Sequence, residues 1–203
     1  MRSGFMFGLA KAIMSPIYAV LFPHRAIGVE NLPAQGGFVL CVNHIHARDP
    51  FFLSTVIPTG RKLFFMAKKE LFKSKIVGTF LSWLGAFPVD RGHADLNSIR
   101  TAMKVVREGS GLVIFPQGTR SKTNAPTPFL SGASMIALRG GVPVIPCYIA
   151  GPYRLFHHSD VHFGAPLDLS AHGTRCDQNT LESATKQIEG AVWALREPDA
   201  NDT

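Results

Sequence analysis

A chain of 203 residues with 46% hydrophobic and 17% charged residues has enough apolar side chain for one well-cored domain, which excludes a disordered polymer. The formal charge of +7, from 21 Lys and Arg against 14 Asp and Glu, suits phosphorylated substrates, anionic lipid or nucleic acid. The cations are dispersed, and neither an aromatic RNA-binding signature nor a Cys/His finger is present, so nucleic acid is not an expected partner.

Residues 4–22 open the chain with Phe5, Met6, Phe7, Leu9, Ile13, Ile17, Tyr18, Val20, Leu21 and Phe22, interrupted by Lys11 and Pro16. Without that pair the run approaches the length of a membrane span; with it, a kinked helix or helix pair lying in the membrane interface is expected. The alternative is a helix packed on the domain core, which looks the same in sequence. Residues 28–33 read as a short strand and turn, and residues 38–43 as a buried strand holding Cys41. A short helix over residues 50–57 is expected to end at Pro58, with Asp49 as its N-cap and Pro50 in its first position. Residues 62–67 read as the next strand. Leu71, Ile76, Phe80, Leu81 and Leu84 fit a helix, and residues 85–89 return towards the sheet. Leu96, Ile99, Met103 and Val106 form the apolar stripe of an amphipathic helix. A strand over 112–115, a helix over 131–139 and a strand over 142–150 follow, the last at a sheet edge because of Pro143 and Pro146. Asn179 with Glu182 resembles a capping pair for a final helix carrying Leu181, Ala184, Ile188, Val192 and Leu195. Alternating strands and helices predict a single α/β domain with a largely parallel sheet flanked by helices. The expected organisation is an N-terminal interfacial helical segment over 1–24, the domain proper over 25–197, and a frayed tail over 198–203. The cysteines Cys41, Cys147 and Cys176 are odd in number and lack a C-x-x-C pair, which fits a reducing compartment.

The chemistry concentrates where strands end. His44 closes one strand and Asp49 opens the next helix, so the four-residue loop between them can fold the carboxylate back onto the imidazole. That contact fixes the tautomer and leaves the other ring nitrogen as a base. A purely structural reading has Asp49 as a helix cap only. A metal reading uses His44, His46 and Asp49, but a His-x-His-x-Asp site wants its carboxylate at position 48, where a cation, Arg48, stands. Two further loops stand out: residues 85–92, ending Asp90-Arg91-Gly92, and Phe115-Pro116-Gln117-Gly118-Thr119-Arg120-Ser121. Gly118 permits close backbone approach, Thr119 and Ser121 supply hydroxyls, and Arg120 has a planar fork matched to phosphate oxygens.

Four blocks in order, Asn43-His44-x4-Asp49, residues 85–91, residues 115–121 and Val142-Pro143-Val144-Ile145-Pro146, resemble the glycerolipid acyltransferase family, which includes the 1-acyl-sn-glycerol-3-phosphate acyltransferases. Residues 67–72, Ala-Lys-Lys-Glu-Leu-Phe, are similar to its linking segment. The family usually carries Glu where Gln117 stands and Lys where Leu130 follows Phe129. The resemblance implies transfer of a fatty acyl group from acyl-CoA or acyl carrier protein to a lysophospholipid acceptor, 1-acyl-sn-glycerol 3-phosphate, giving phosphatidic acid. It implies His44 as base and Asp49 as its orienting partner. Arg91, Gln117, Gly118, Thr119, Arg120 and Lys68 are the expected substrate-binding residues. No cofactor or metal is required, and the expected location is the cytoplasmic face of the cell membrane. The rival readings are the same chemistry on glycerol 3-phosphate or another lysolipid, a metal-dependent hydrolase, and a catalytically silent lipid-binding module.

Overall fold

The computed structural model describes residues 4–57, 62–90, 95–121, 123, 125–151, 154–173 and 175–196, with side chains from residue 12 onward, residue 14 apart. The expected helix stop at Pro58, the tail over 198–203 and the candidate Arg91 lie outside them. Among the described residues one sheet has seven strands: β1 (His24–Ile27), β2 (Phe38–Val42), β3 (Leu63–Lys68), β4 (Ala86–Val89), β5 (Gly111–Ile114), β6 (Val144–Ile149) and β7 (Ser159–Phe163). Their order is β1-β7-β6-β2-β5-β3-β4. The pairs β6–β2, β2–β5, β5–β3 and β3–β4 are parallel, β7 runs antiparallel to β6, and β1 lies parallel to β7. The sheet is therefore largely parallel, as expected, with a reversed pair at one side.

β2 shows why this sheet is covered on both faces. All five of its residues are buried, and alternate side chains enter different cores. Val39 and Cys41 pack with α4 (Leu96–Arg107), α5 (Gly132–Gly140) and α6 (Gln178–Trp193), through residues such as Val105, Ile136 and Ile188. Phe38, Leu40 and Val42 pack with Phe52, Leu53 and Ile57 of α2 (Asp49–Val56) and its end, and with Phe22 at the end of α1 (Gly4–Leu21). α3 (Lys75–Trp83) joins this second layer, with Phe80 stacked on Phe51 of α2 at 5.9 Å.

Several expectations shift. Residues 4–21 form one helix that continues through Pro16, and no described helix is long and apolar enough to cross a membrane. Its end is packed rather than free: Phe22 is buried, with Tyr18 and Leu21 against the same core. Residues 28–33 hold a 3-10 turn, Val29–Asn31, entered through Gly28 in the left-handed region; the strand lies just before, as β1. The helix expected around Leu71 to Leu84 divides into a 3-10 turn, Lys69–Phe72, and α3, capped by Ser74. α6 is capped by Asp177, which accepts from the Thr180 N–H, and not by the Asn179–Glu182 pair.

The edge position expected for residues 142–150 is overturned, since β6 is flanked by β2 and β7. Pro143 precedes the strand and only lends its carbonyl to the Val39 N–H, at 3.0 Å. Pro146 turns its carbonyl towards Gly164, at 2.9 Å, on the side where β7 has just ended at Phe163. Its missing N–H points the same way, past the last residue of β7, so the proline sits where the strand pairing is ending.

Candidate active site

His44 follows β2 directly and therefore lies at the carboxyl edge of the parallel strands, where such sheets collect their functional loops. Its backbone is anchored on both sides. The preceding Asn43 continues the ladder with its side chain: Nδ2 donates to the Ile149 carbonyl at 3.0 Å and Oδ1 accepts from the Ile149 N–H at 2.7 Å. The His44 N–H donates to Oε1 of Gln117 at 2.6 Å, and the His44 carbonyl accepts from the Ser121 N–H at 2.8 Å. The ring stacks on Phe115, with centroids 4.2 Å apart and planes 26° from parallel.

Asp49 is fully buried, and one oxygen accounts for its role. Oδ2 lies 2.7 Å from His44 Nδ1 and accepts the N–H groups of Ile45 at 2.8 Å and His46 at 2.9 Å. The expected N-cap is thereby corrected by one position. Asp49 is the first residue of α2, after Arg48, and its Oδ2 reaches back into the loop. A carboxylate only accepts, so Nδ1 carries the proton and Nε2 holds a lone pair. Nε2 bonds no described residue, and the ring reaches the surface at one side.

His46 is placed differently. It is exposed, and its Nδ1 accepts from the N–H and Nε of Arg48 at 3.1 and 3.3 Å. Desolvation first, then the Arg48 charge, push its pKa below the ordinary histidine value. Among the described residues no three His, Cys, Asp or Glu side chains are grouped as metal ligands, so His44, His46 and Asp49 are not a metal triad.

Gln117 was read either as a substrate contact or as a brace of its loop, and the structure gives its side chain partners within the protein. The side chain is buried, Oε1 takes the His44 N–H, and Nε2 donates to Thr127 Oγ1 at 2.6 Å. Both ends of the amide brace the loop. Gly118 has φ 69°, in the left-handed region that favours glycine. Its N–H donates to the Phe115 carbonyl at 3.1 Å, which commits that donor to the turn rather than to an oxyanion. Thr119 and Arg120 are exposed at the rim, and the Arg120 charge acts on His46, so the loops after β2 and β5 lie side by side. Lys68 ends β3, exposed, with its Nζ 3.8 Å from Glu70. Phe115, Thr127 and the side chain of Asn43 contribute without having been singled out, for they act through contacts between strands far apart in sequence.

The model of the Acyltransferase family matches residues 24–150, an interval that holds every contact just described. This chain belongs to the acyltransferase family. Among its relatives is the 1-acyl-sn-glycerol-3-phosphate acyltransferase of Bacillus subtilis (strain 168), 42% identical over 124 residues, which cover 61% of this chain and 60% of the relative. The enzyme of the same name from Streptococcus pneumoniae (strain ATCC BAA-255 / R6) is 30% identical over 175 residues, 83% of this chain and 64% of the relative. The chain thus spans less than two thirds of either acyltransferase. The crystal structure of the 1-acyl-sn-glycerophosphate (LPA) acyltransferase PlsC from Thermotoga maritima shares the fold, with a TM-score of 0.69 at 24% identity over 98% of this chain and 86% of that one.

Proposed function

We propose that this acyltransferase moves a fatty acyl group from a thioester donor, acyl-CoA or acyl carrier protein, to the free hydroxyl of 1-acyl-sn-glycerol 3-phosphate, giving phosphatidic acid. The observation that carries the reading is the buried Asp49 oxygen that fixes His44 with Nε2 left open. Nε2 takes the acceptor's hydroxyl proton as its oxygen attacks the thioester carbonyl. The C–O bond forms, the C–S bond breaks, and the imidazolium returns the proton to the departing thiolate. Asp49 offsets the charge that the ring carries in between. Arg120 and Lys68, with Arg91 and Thr119, are proposed to hold the acceptor phosphate, with Gly118 lining its approach: the two described cations are exposed, and Arg120 stands beside the His44 loop. The proposal places the enzyme on the cytoplasmic face of the cell membrane, docked through α1, whose Ile13, Ile17 and Val20 form an exposed apolar stripe.

The test is an acceptor panel of lysophosphatidate, glycerol 3-phosphate and other lysolipids, each with acyl-CoA and acyl carrier protein. Lysophosphatidate should be the preferred acceptor, and folded His44→Ala should lose about 10²- to 10⁴-fold in turnover. Near-wild-type turnover in that variant overturns the mechanism; preference for another acceptor overturns the substrate assignment alone.

A further inference from the structure

Among the described residues, besides α1 and the single residues Leu71, Leu96 and Leu130, large apolar side chains are exposed in two places. On α3, Ile76 is 85% exposed, and Val77 and Phe80 share its outer side. In the turn of residues 154–157, Leu155 and Phe156 are 53% and 68% exposed. The His157 N–H closes that turn on the Arg154 carbonyl at 3.1 Å, and Phe156 occupies its third position with φ 61°. This is the conformation that glycine or asparagine ordinarily supplies, and a bulky residue there is strained. The tip of an exposed turn thus carries two large apolar residues, one in a backbone state that disfavours it. Such strain persists where the surroundings hold it and the side chain has a use.

The turn is held against α1. The Phe156 N–H donates to the Leu21 carbonyl, at the end of that helix, at 2.7 Å. α1 also contacts α3 and α2 in the same layer. Charge adds a second, independent argument. None of the chain's 14 Asp and Glu residues falls within residues 4–21, 71–83 or 151–158, whereas Lys11, Lys73, Lys75 and Arg154 do. Lys73, Lys75 and Arg154 are exposed beside the apolar residues.

We propose that α3 and the 154–157 turn form, with α1, one surface for an anionic lipid bilayer, into which Leu155 and Phe156 insert at the depth of the acyl chains. Apolar groups flanked by Lys73, Lys75 and Arg154 match a negatively charged interface. A second copy of this chain is a poorer occupant, since two faces with an excess of cations repel. The inference rests on the reading of α1 as an interfacial helix and extends it to elements far away in sequence.

The experiment is flotation of the full chain with vesicles of phosphatidylcholine alone or mixed with phosphatidylglycerol, alongside thermal unfolding. Phe156→Gly relieves the strained φ, so its Tm should stay level or rise while partitioning onto anionic vesicles falls. Combined with Ile76→Ser, the loss should reach about tenfold or more, the factor expected for removing one or two apolar anchors. Lys73→Gln with Lys75→Gln should weaken binding to the mixed vesicles only. Unchanged partitioning of Phe156→Gly/Ile76→Ser overturns the proposal. So does a lowered Tm, which makes these side chains structural, or a dimer of the parent chain that the substitutions dissolve. Ile13→Ser/Ile17→Ser/Val20→Ser separates the two readings: if it alone loses partitioning, α1 docks without the turn; if it alone retains it, the turn and α3 dock without α1.

Discussion

Asp49 Oδ2 gathers the His44 ring and two backbone N–H groups onto a single atom. The spacing of His44 and Asp49 made their pairing legible, because a four-residue loop leaves a short path between a strand end and a helix start. Bracing by Gln117 was one of two readings open in the sequence, but its partners were not legible. They depend on β2 and β5 ending side by side, a fact of the sheet rather than of the local sequence. With the carbonyl on the His44 N–H and the amide on Thr127, the residue acts by positioning. Gln117→Ala should leave that buried N–H unsatisfied, costing about 2 kcal/mol in denaturant unfolding and lowering kcat more than acceptor KM. Gln117→Glu should do far better. One carboxylate oxygen keeps the His44 N–H, and the Thr127 hydroxyl can turn to donate to the other. Equal losses in both variants would mean that a carboxylate cannot replace the amide as a brace.

At the scale of elements, strands with continuous apolar runs and helices with a clear stripe were readable, and their ends less so. β1 and β7 escaped because both are short, both open on two polar residues, and neither carries a long apolar run. Caps were misjudged where two candidates stood close together: Asp177 outcompetes Asn179 for α6 by accepting from Thr180. α4 offers a cap that can be titrated. Asp95 accepts from the Ser98 hydroxyl and the N–H groups of Asp90, Ser98 and Asn97, which together hold its carboxyl down at about 2. A depressed carboxyl stabilises the fold above its ordinary range and loses that effect as the pH falls through the depressed value. Asp95→Ala should therefore lower Tm at neutral pH, with the gap to the parent chain closing as the pH falls towards about 2. A gap independent of pH would mean that packing, not the charge, is what the substitution removed.

For the whole molecule, the class was written in the alternation of strand and helix, and a parallel sheet brings its carboxyl-edge loops together without any one loop announcing it. The reversal of β7 and β1 was not readable, because nothing local to residues 150–158 states which way the chain leaves β6. Neither was the distribution of the three thiols over the two cores. Cys41 lies under the α4–α6 layer and Cys147 under the α1–α2 layer, both fully covered, while Cys176 is partly exposed. Burial pushes both covered thiols well above the ordinary cysteine range, away from the reactive thiolate. Under native conditions a chromogenic disulfide reagent should label Cys176 alone, and all three after denaturation. Early labelling of Cys41 or Cys147 would show that one layer opens without the other. If both instead react together at the rate of global opening, the chain carries its own unfolding clock, with one hand beneath each layer of helices and a third thiol outside to set the zero.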